Sequence, residues 1–419
     1  MLPQPLARGA ALNLAARVAT VLLGLAILVT VARFGPEVQG AFALFVAFES
    51  LLLTLFSGLG LLLAREISHR QAEPAPLLGA LLRAAFVLGL AAGAVLLAVS
   101  TVAETEPYRH LWLLALAAPL LLWVPTASGL WLGQGRMGPL NLPQVAAPLL
   151  VLAALTVLQQ FGPAPVLAVL AAWVVGKTLV GLGTGAAASR EAGWAPADGS
   201  ALRKQWRFVV VIGATNVVSL LNYRATLFML ERHSGLAEAG VYSVAVQVAE
   251  LLWLLSSSVT ISAYHRIGAP DADQAALTTL RAVRVNLLAT LVAAPLLYAG
   301  AHAALPAVLG PAYQGALLPL ALLLPGVAGY AAASSLSAYY TNHRGLPQWS
   351  AAVAGLSLGL TIAIAAWGIP RYGAAGAALA TSVAYTLAIA LALALFLRDA
   401  GLGWRGLLWP GATRQSRPA

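Results

Sequence analysis

Apolar residues come in long blocks, each closed by a short stretch of Gly, Pro and charge. The blocks fall near residues 10–33, 39–63, 78–101, 110–132, 143–160, 164–187, 206–230, 239–263, 279–303, 316–339, 348–368 and 374–397. A helix needs about 20 apolar residues to cross a bilayer. Within hydrocarbon every backbone N–H and C=O must be paired inside its own segment, so each block is predicted to be a transmembrane α-helix. The expected fold is an all-α polytopic membrane protein of about twelve helices. The fifth block is short and holds Pro143 and Pro148. Without it, every later segment would reverse its orientation.

Composition sharpens this picture. Of 419 residues, 60% are hydrophobic and 9% charged, with a mean hydropathy of +0.84, which excludes a soluble globular chain. The net charge of +10 comes from scattered Lys and Arg, with no basic patch interleaved with aromatics, so nucleic acid is not an expected partner. On a twelve-span layout most of the 24 basic residues fall on the side of the termini, while the opposite side holds Arg33, Arg109, Arg232 and Arg371. The positive-inside bias therefore predicts cytoplasmic termini and a multi-pass protein of the cytoplasmic (inner) membrane. The first apolar block contains Arg17 and lacks a small-residue cleavage site, so it reads as a retained helix. The absence of cysteine excludes a disulfide scaffold, a thiolate metal site and a cysteine nucleophile. Loops are short, the longest near 188–205, and leave no room for an extramembrane catalytic domain. Residues 399–419 form a basic tail, cytoplasmic or interfacial, with Leu402, Trp404, Leu407, Leu408 and Trp409 among arginines.

The chain also repeats itself. An offset of 200 residues pairs Gly35 with Gly235, Gly40 with Gly240, Phe42 with Tyr242 and Ser57 with Ser257. Glu37 and Glu238 follow the first glycines, where the positive end of a helix dipole favours an acid. Arg136 and Pro139 echo as Arg344 and Pro347. Six is an even number of crossings, so the expectation is two six-helix lobes, 1–203 and 204–398, related by a pseudo-two-fold axis along the membrane normal with a cleft between them. That layout predicts a rocking transporter rather than a pore.

Chemistry for catalysis is missing. Gly176-Lys177-Thr178 ends like a phosphate loop, but Ala171 stands where the first glycine is required and no strand precedes it. The six histidines are dispersed, and no cofactor or metal site is expected. The informative residues are the ionisable groups at membrane depth: Arg17, Glu49, Lys177, Arg224 and Glu250. At 1.5 Å per residue, Glu49, Lys177 and Glu250 lie about 15–20 Å in, close to the midplane. Asn13 lies one turn before Arg17 on the same face. Thr215, Ser219, Asn222 and Thr226 share a stripe with Arg224 roughly opposite, near enough the outer end to snorkel as an anchor. Three cations against two anions give a net positive interior suited to an anionic substrate and unsuited to a cationic drug. Ion pairs that only fix helix packing are the alternative for each of the five. Gly89/Gly93 and Gly355/Gly359 read as helix-packing pairs, and Trp112, Trp206 and Trp367 as interface residues.

Several short elements carry a family resemblance: Arg33-Phe-Gly-Pro-Glu-Val-Gln-Gly40, Asn222-Tyr-Arg-Ala-Thr226, Gly240-Val-Tyr-Ser-Val-Ala-Val246, Ala249-Glu250 with Trp253, Gly310-Pro-Ala-Tyr313 and Tyr372-Gly-Ala-Ala-Gly-Ala-Ala-Leu-Ala380. Across essentially its whole length the chain resembles an oligosaccharide (Wzx-type) flippase of the MOP exporter superfamily, which also holds lipid II flippases and MATE antiporters. Where similar members carry an Asp two positions after Asn-Tyr-Arg, this chain has Thr226, and Ser256 to Ser258 replace a usual proline. The first helix holds Arg17 in place of the Asp of many MATE antiporters. The resemblance implies a polyprenyl-diphosphate-linked oligosaccharide as substrate, held at its diphosphate by Arg17 and Lys177 in a cationic cavity with Arg224, Asn13 and Asn222. Glu49 and Glu250 would then be counter-charges or coupling groups. It implies no enzymatic activity, and as partners the lipid bilayer and other polysaccharide assembly proteins. A MATE-like small-molecule antiporter is the alternative from another class, and an O-antigen polymerase or ligase the enzymatic one.

Overall fold

The structure is a computed structural model, described for residues 4–162, 165–346 and 348–404. Among the described residues there is no strand. Fourteen α-helices follow one another: α1 (Gln4–Ala32), α2 (Pro36–Leu55), α3 (Gly58–Arg70), α4 (Pro74–Val102), α5 (Trp112–Leu121), α6 (Trp123–Gly133), α7 (Met137–Gln159), α8 (Val166–Ala192), α9 (Ser200–Glu250), α10 (Leu252–Ile267), α11 (Ala272–Leu309), α12 (Leu317–Tyr330), the short α13 (Ala333–Ala338) and α14 (Gln348–Asp399).

Among the described residues, ten segments are long and apolar enough to cross a membrane. Two of these, Ser200–Tyr264 with 65 residues and Gln348–Asp399 with 52, are more than twice the necessary length. Each contains a glycine with positive φ, Gly235 at 82° and Gly373 at 53°. Thr226 and Tyr242 lie sixteen residues apart in the chain, about 24 Å along a straight helix. Their hydroxyl oxygens are nevertheless 3.0 Å apart, so the chain doubles back between them. Gly368 and Gly376 approach in the same way around Gly373, whose missing Cβ makes room for the Glu238 carboxylate. That carboxylate accepts the Ala374 N–H at 2.6 Å. The two double segments bring the count to about twelve crossings. Gly35, the partner of Gly235 in the repeat, has φ 111°. A left-handed backbone at both positions is available to glycine at no steric cost.

The chain divides into two compact units, Met1–Val217 and Val218–Ala419, with the division inside α9. In the first, α3 lies against α6 with Gly60 facing Pro125 and Gly129 facing Gly60, so closely that a Cβ on either would strike backbone. Gly89 and Gly93 of α4 meet Pro119 and Ala115 of α5 in the same manner. Leu59, Leu62, Leu63, Leu81, Leu122 and Leu130 fill one buried cluster, and Phe45, Leu111, Leu114 and Leu170 another. On α4, Val87, Leu90, Val95 and Leu97 are exposed, as expected of side chains that face lipid.

The fifth crossing is whole: α7 runs through both prolines and begins at Met137, ahead of the hydropathy boundary. Pro148 has no N–H for the Gln144 carbonyl. The Thr20 hydroxyl of α1, which donates to its own Ala16 carbonyl at 2.8 Å, also lies 3.3 Å from the freed Gln144 carbonyl. Gln159 also donates to the Thr30 carbonyl at 3.0 Å, tying α7 to α1.

In the second unit, Gly326 of α12 sits against Ser382 of α14 and donates its N–H to the serine hydroxyl at 2.8 Å. A buried polar group joins α10, α11 and α13: the Asn286 amide donates to Ser335 at 2.9 Å, and Thr260 lies 2.8 and 2.9 Å from Ser334 and Ser335. The anticipated packing role of Gly355/Gly359 is not found as a pair, because Gly355 touches only Val218 and Gly359 has open space beside it. Ahead of α9, the Asp198 N–H donates to the Pro76 carbonyl at 3.0 Å. The Ser200 backbone N–H and then its hydroxyl, both donating to Asp198, hold that exposed carboxyl below the usual carboxylate range. Of the tail expected to lie at the interface, Leu407, Leu408 and Trp409 fall outside the described residues.

Candidate functional site

Each unit places one carboxylate and one cation together at membrane depth. In the first unit, Glu49 comes from α2 and is 1% exposed. Lys177 of α8 brings its Nζ to 2.7 Å from Glu49 Oε1. Trp173, one turn before Lys177 on α8, donates its indole N–H to Glu49 Oε2 at 2.6 Å. Its ring lies 4.7 Å from the ammonium and meets Phe42 edge-on at 5.1 Å. An isolated carboxylate in such surroundings would be strongly disfavoured. Here it has a charge partner and a neutral donor, while the lysine, 25% exposed, has a charge and an aromatic face. Arg17 and Asn13 lie on α1, the arginine exposed and the asparagine half-buried.

The second unit uses a different partner. Glu250 occupies the position that the repeat assigns to Glu49, offset by 201 rather than 200 residues. Its cation, Arg224, comes from the crossing before the Gly235 turn. The guanidinium grips the carboxylate with both arms, at 2.9 and 3.3 Å. Such bidentate geometry is the strong form of a charge-assisted hydrogen bond. Instead of extending to the outer end as an anchor, Arg224 turns to Glu250. Asn222, 2% exposed, donates to the Tyr330 hydroxyl at 3.4 Å and accepts the Tyr385 hydroxyl on its backbone carbonyl at 3.2 Å. Thr226 bonds Tyr242. The stretch Asn222 to Thr226 thus spreads its polar groups over three directions, with Tyr223 in a fourth.

Tyr223 marks what sequence reasoning missed. A cavity of about 340 Å³ lies within the second unit. Its aromatic walls are Tyr223, Trp253, Tyr330, Tyr340 and Trp349. Six serines, Ser219, Ser256, Ser257, Ser334, Ser337 and Ser350, line it too, and no charged side chain does. Tyr223 lies tilted against Trp253 with ring centroids 4.9 Å apart, and Tyr340 stacks on Trp349 at 5.3 Å. Tyr223 and Trp253 also border a small crevice that reaches Glu250. The available signal was the apolar block ending in the Tyr339-Tyr340 pair behind Ser334, Ser335 and Ser337, together with the serines that replace proline after Trp253.

The family model for polysaccharide biosynthesis proteins matches residues 6–264. The chain belongs to that family. No curated protein sequence matches it. Among solved structures it is similar to the lipid II flippase MurJ in an inward closed conformation, with TM-score 0.79, 14% identity, 93% of this chain and 89% of that one covered. It is similar also to an inward-facing multidrug resistance MATE family transporter of the MOP superfamily, with TM-score 0.74, 16% identity and 91% and 94% coverage. A third similar structure is a MOP superfamily transporter from Pyrococcus furiosus described as having a binding pocket of reversed polarity, with TM-score 0.64, 14% identity and 94% and 95% coverage. The fold is that of MOP superfamily transporters.

Proposed function

We propose that this protein moves a polyprenyl-diphosphate-linked oligosaccharide across the cytoplasmic membrane by alternating access, for surface polysaccharide synthesis, and is not an enzyme. The observation that carries this reading is the family match over residues 6–264, joined to a fold shared with a lipid flippase. The charges are consistent with it. Arg17 and Lys177 are the groups proposed to meet the diphosphate, with Asn13 alongside. Lys177 is held between Glu49 and Trp173 until the anion competes for it. Within the second unit, Arg224 and Asn222 are the groups proposed to meet the cargo, with Glu250 as counter-charge, as Glu49 is for Lys177 in the first. The distribution of basic residues supports cytoplasmic termini.

Deleting the protein should leave the lipid-linked oligosaccharide on the cytoplasmic leaflet, remove the corresponding surface glycan and leave resistance to cationic drugs unchanged. A MATE-like antiporter is the second reading, favoured by the fold shared with the inward-facing MATE transporter. It requires the reverse: drug sensitivity with normal glycan and normal lipid-linked intermediates. That outcome would overturn the flippase reading.

A further inference from the structure

The serine-lined aromatic cavity of the second unit is separate in character from the charged groups to which the diphosphate was assigned, and its chemistry is specific. Five aromatic side chains line it. Several of its serines have already spent their single donor on backbone: Ser256 on the Trp253 carbonyl at 3.1 Å, Ser257 on Leu254 at 3.0 Å and Ser334 on Ala331 at 3.0 Å. A hydroxyl oxygen so engaged keeps acceptor capacity. The Trp253 indole N–H, by contrast, is buried with no hydrogen-bond partner among the described residues. A buried donor left unmade is costly. The cavity therefore presents aromatic side chains, serine oxygens with acceptor capacity and no charged side chain, and two of its lining residues, Trp253 and Tyr340, each hold an unpaired buried polar group.

We infer that this cavity is a binding site for a neutral sugar ring of the cargo, a pyranose laid with its C–H face on Trp253 or Tyr223 and its hydroxyls toward the serines. An acyl chain would leave the serine oxygens that line the cavity unpaired. A diphosphate would find no cation among the lining residues. A ring with one apolar face and a rim of hydroxyl donors satisfies both halves of the wall, and the volume falls within the roughly 300–1,000 Å³ usual for small-molecule pockets. The assignment rests on the flippase reading only in taking the sugar to be part of the transported lipid.

The test uses the full chain in lipid nanodiscs free of glycoside detergent, with neutral di- to tetrasaccharides of hexose, N-acetylhexosamine and deoxyhexose as probes. Saturation-transfer NMR should show ring C–H protons of at least one probe in contact with the protein. Trp253→Ala should weaken that binding roughly tenfold, as expected for loss of one aromatic face. Ala333→Phe, which fills the cavity and removes no aromatic wall, should abolish it while the thermal midpoint of the protein stays in place. Absence of binding by every probe overturns the assignment. So does binding that survives Ala333→Phe, or a cavity that instead takes tetraphenylphosphonium and loses it in both variants. If the cavity fails while deletion of the protein still strands lipid-linked oligosaccharide on the cytoplasmic leaflet, only this site is wrong. If sugar binds but deletion leaves glycan and intermediates normal, the flippase reading falls and the sugar site stands.

Discussion

Lys177 Nζ lies 2.7 Å from Glu49 Oε1, and the carboxylate is almost wholly removed from solvent. The pair makes two roles for the lysine separable. If Lys177 meets the substrate diphosphate, Lys177→Ala loses transport while the protein still reaches the membrane. The double variant Lys177→Ala/Glu49→Gln, which removes the stranded acid, then also reaches the membrane and still lacks transport. Recovery of both in the double variant would make the lysine purely structural. Glycan display and membrane abundance, measured on the same cells, read the two quantities.

The Arg224–Glu250 pair should behave as a bidentate, partly buried bridge. Arg224→Leu alone leaves Glu250 uncompensated and should cost about 1–3 kcal/mol, below the full penalty of a completely buried pair because both side chains keep some exposure. The double change Arg224→Leu/Glu250→Leu should restore most of that loss. Thermal unfolding of the purified variants measures both values.

Close backbone contact between α3 and α6 predicts intolerance of side chains at Gly60 and Gly129, where a Cβ would strike Pro125 and Gly60 backbone. Gly129→Val should destabilise by about 1–3 kcal/mol through overpacking. Gly183→Ala, with open space at its position, should be neutral or mildly stabilising, since alanine is the better helix former. A thermal-shift comparison of the two variants checks this.

Topology can be mapped cleanly because the chain has no native cysteine. Asp198→Cys and Ala272→Cys, both exposed loop-side positions, should react with an impermeant maleimide only after lysis. Glu104→Cys and Arg371→Cys, also exposed, should react in cells whose outer envelope is permeable. The opposite labelling at either pair would sink the twelve-crossing orientation.

The crossings were legible in the chain because hydrocarbon imposes a local, nearly one-dimensional rule: an apolar run of sufficient length has to be helical wherever its neighbours lie. The turn glycines Gly35 and Gly235 were readable for a similar reason, since a left-handed backbone is a property of the residue itself. Depth along a helix likewise singled out Glu49, Lys177, Arg224 and Glu250 as groups in need of partners. Which partner each one has was decided only by tertiary structure. Two carboxylates at matching repeat positions take their cations from different places, Lys177 of α8 for Glu49 and Arg224 of the preceding crossing for Glu250. The cavity was hidden for the same reason. Tyr223, Trp253, Tyr330 and Trp349 each resemble an ordinary membrane aromatic in the sequence, and they form one wall only because helices far apart in the chain converge on it. Hydropathy records how each segment meets the bilayer, whereas a binding wall depends on which helix faces meet one another, and that is set by packing.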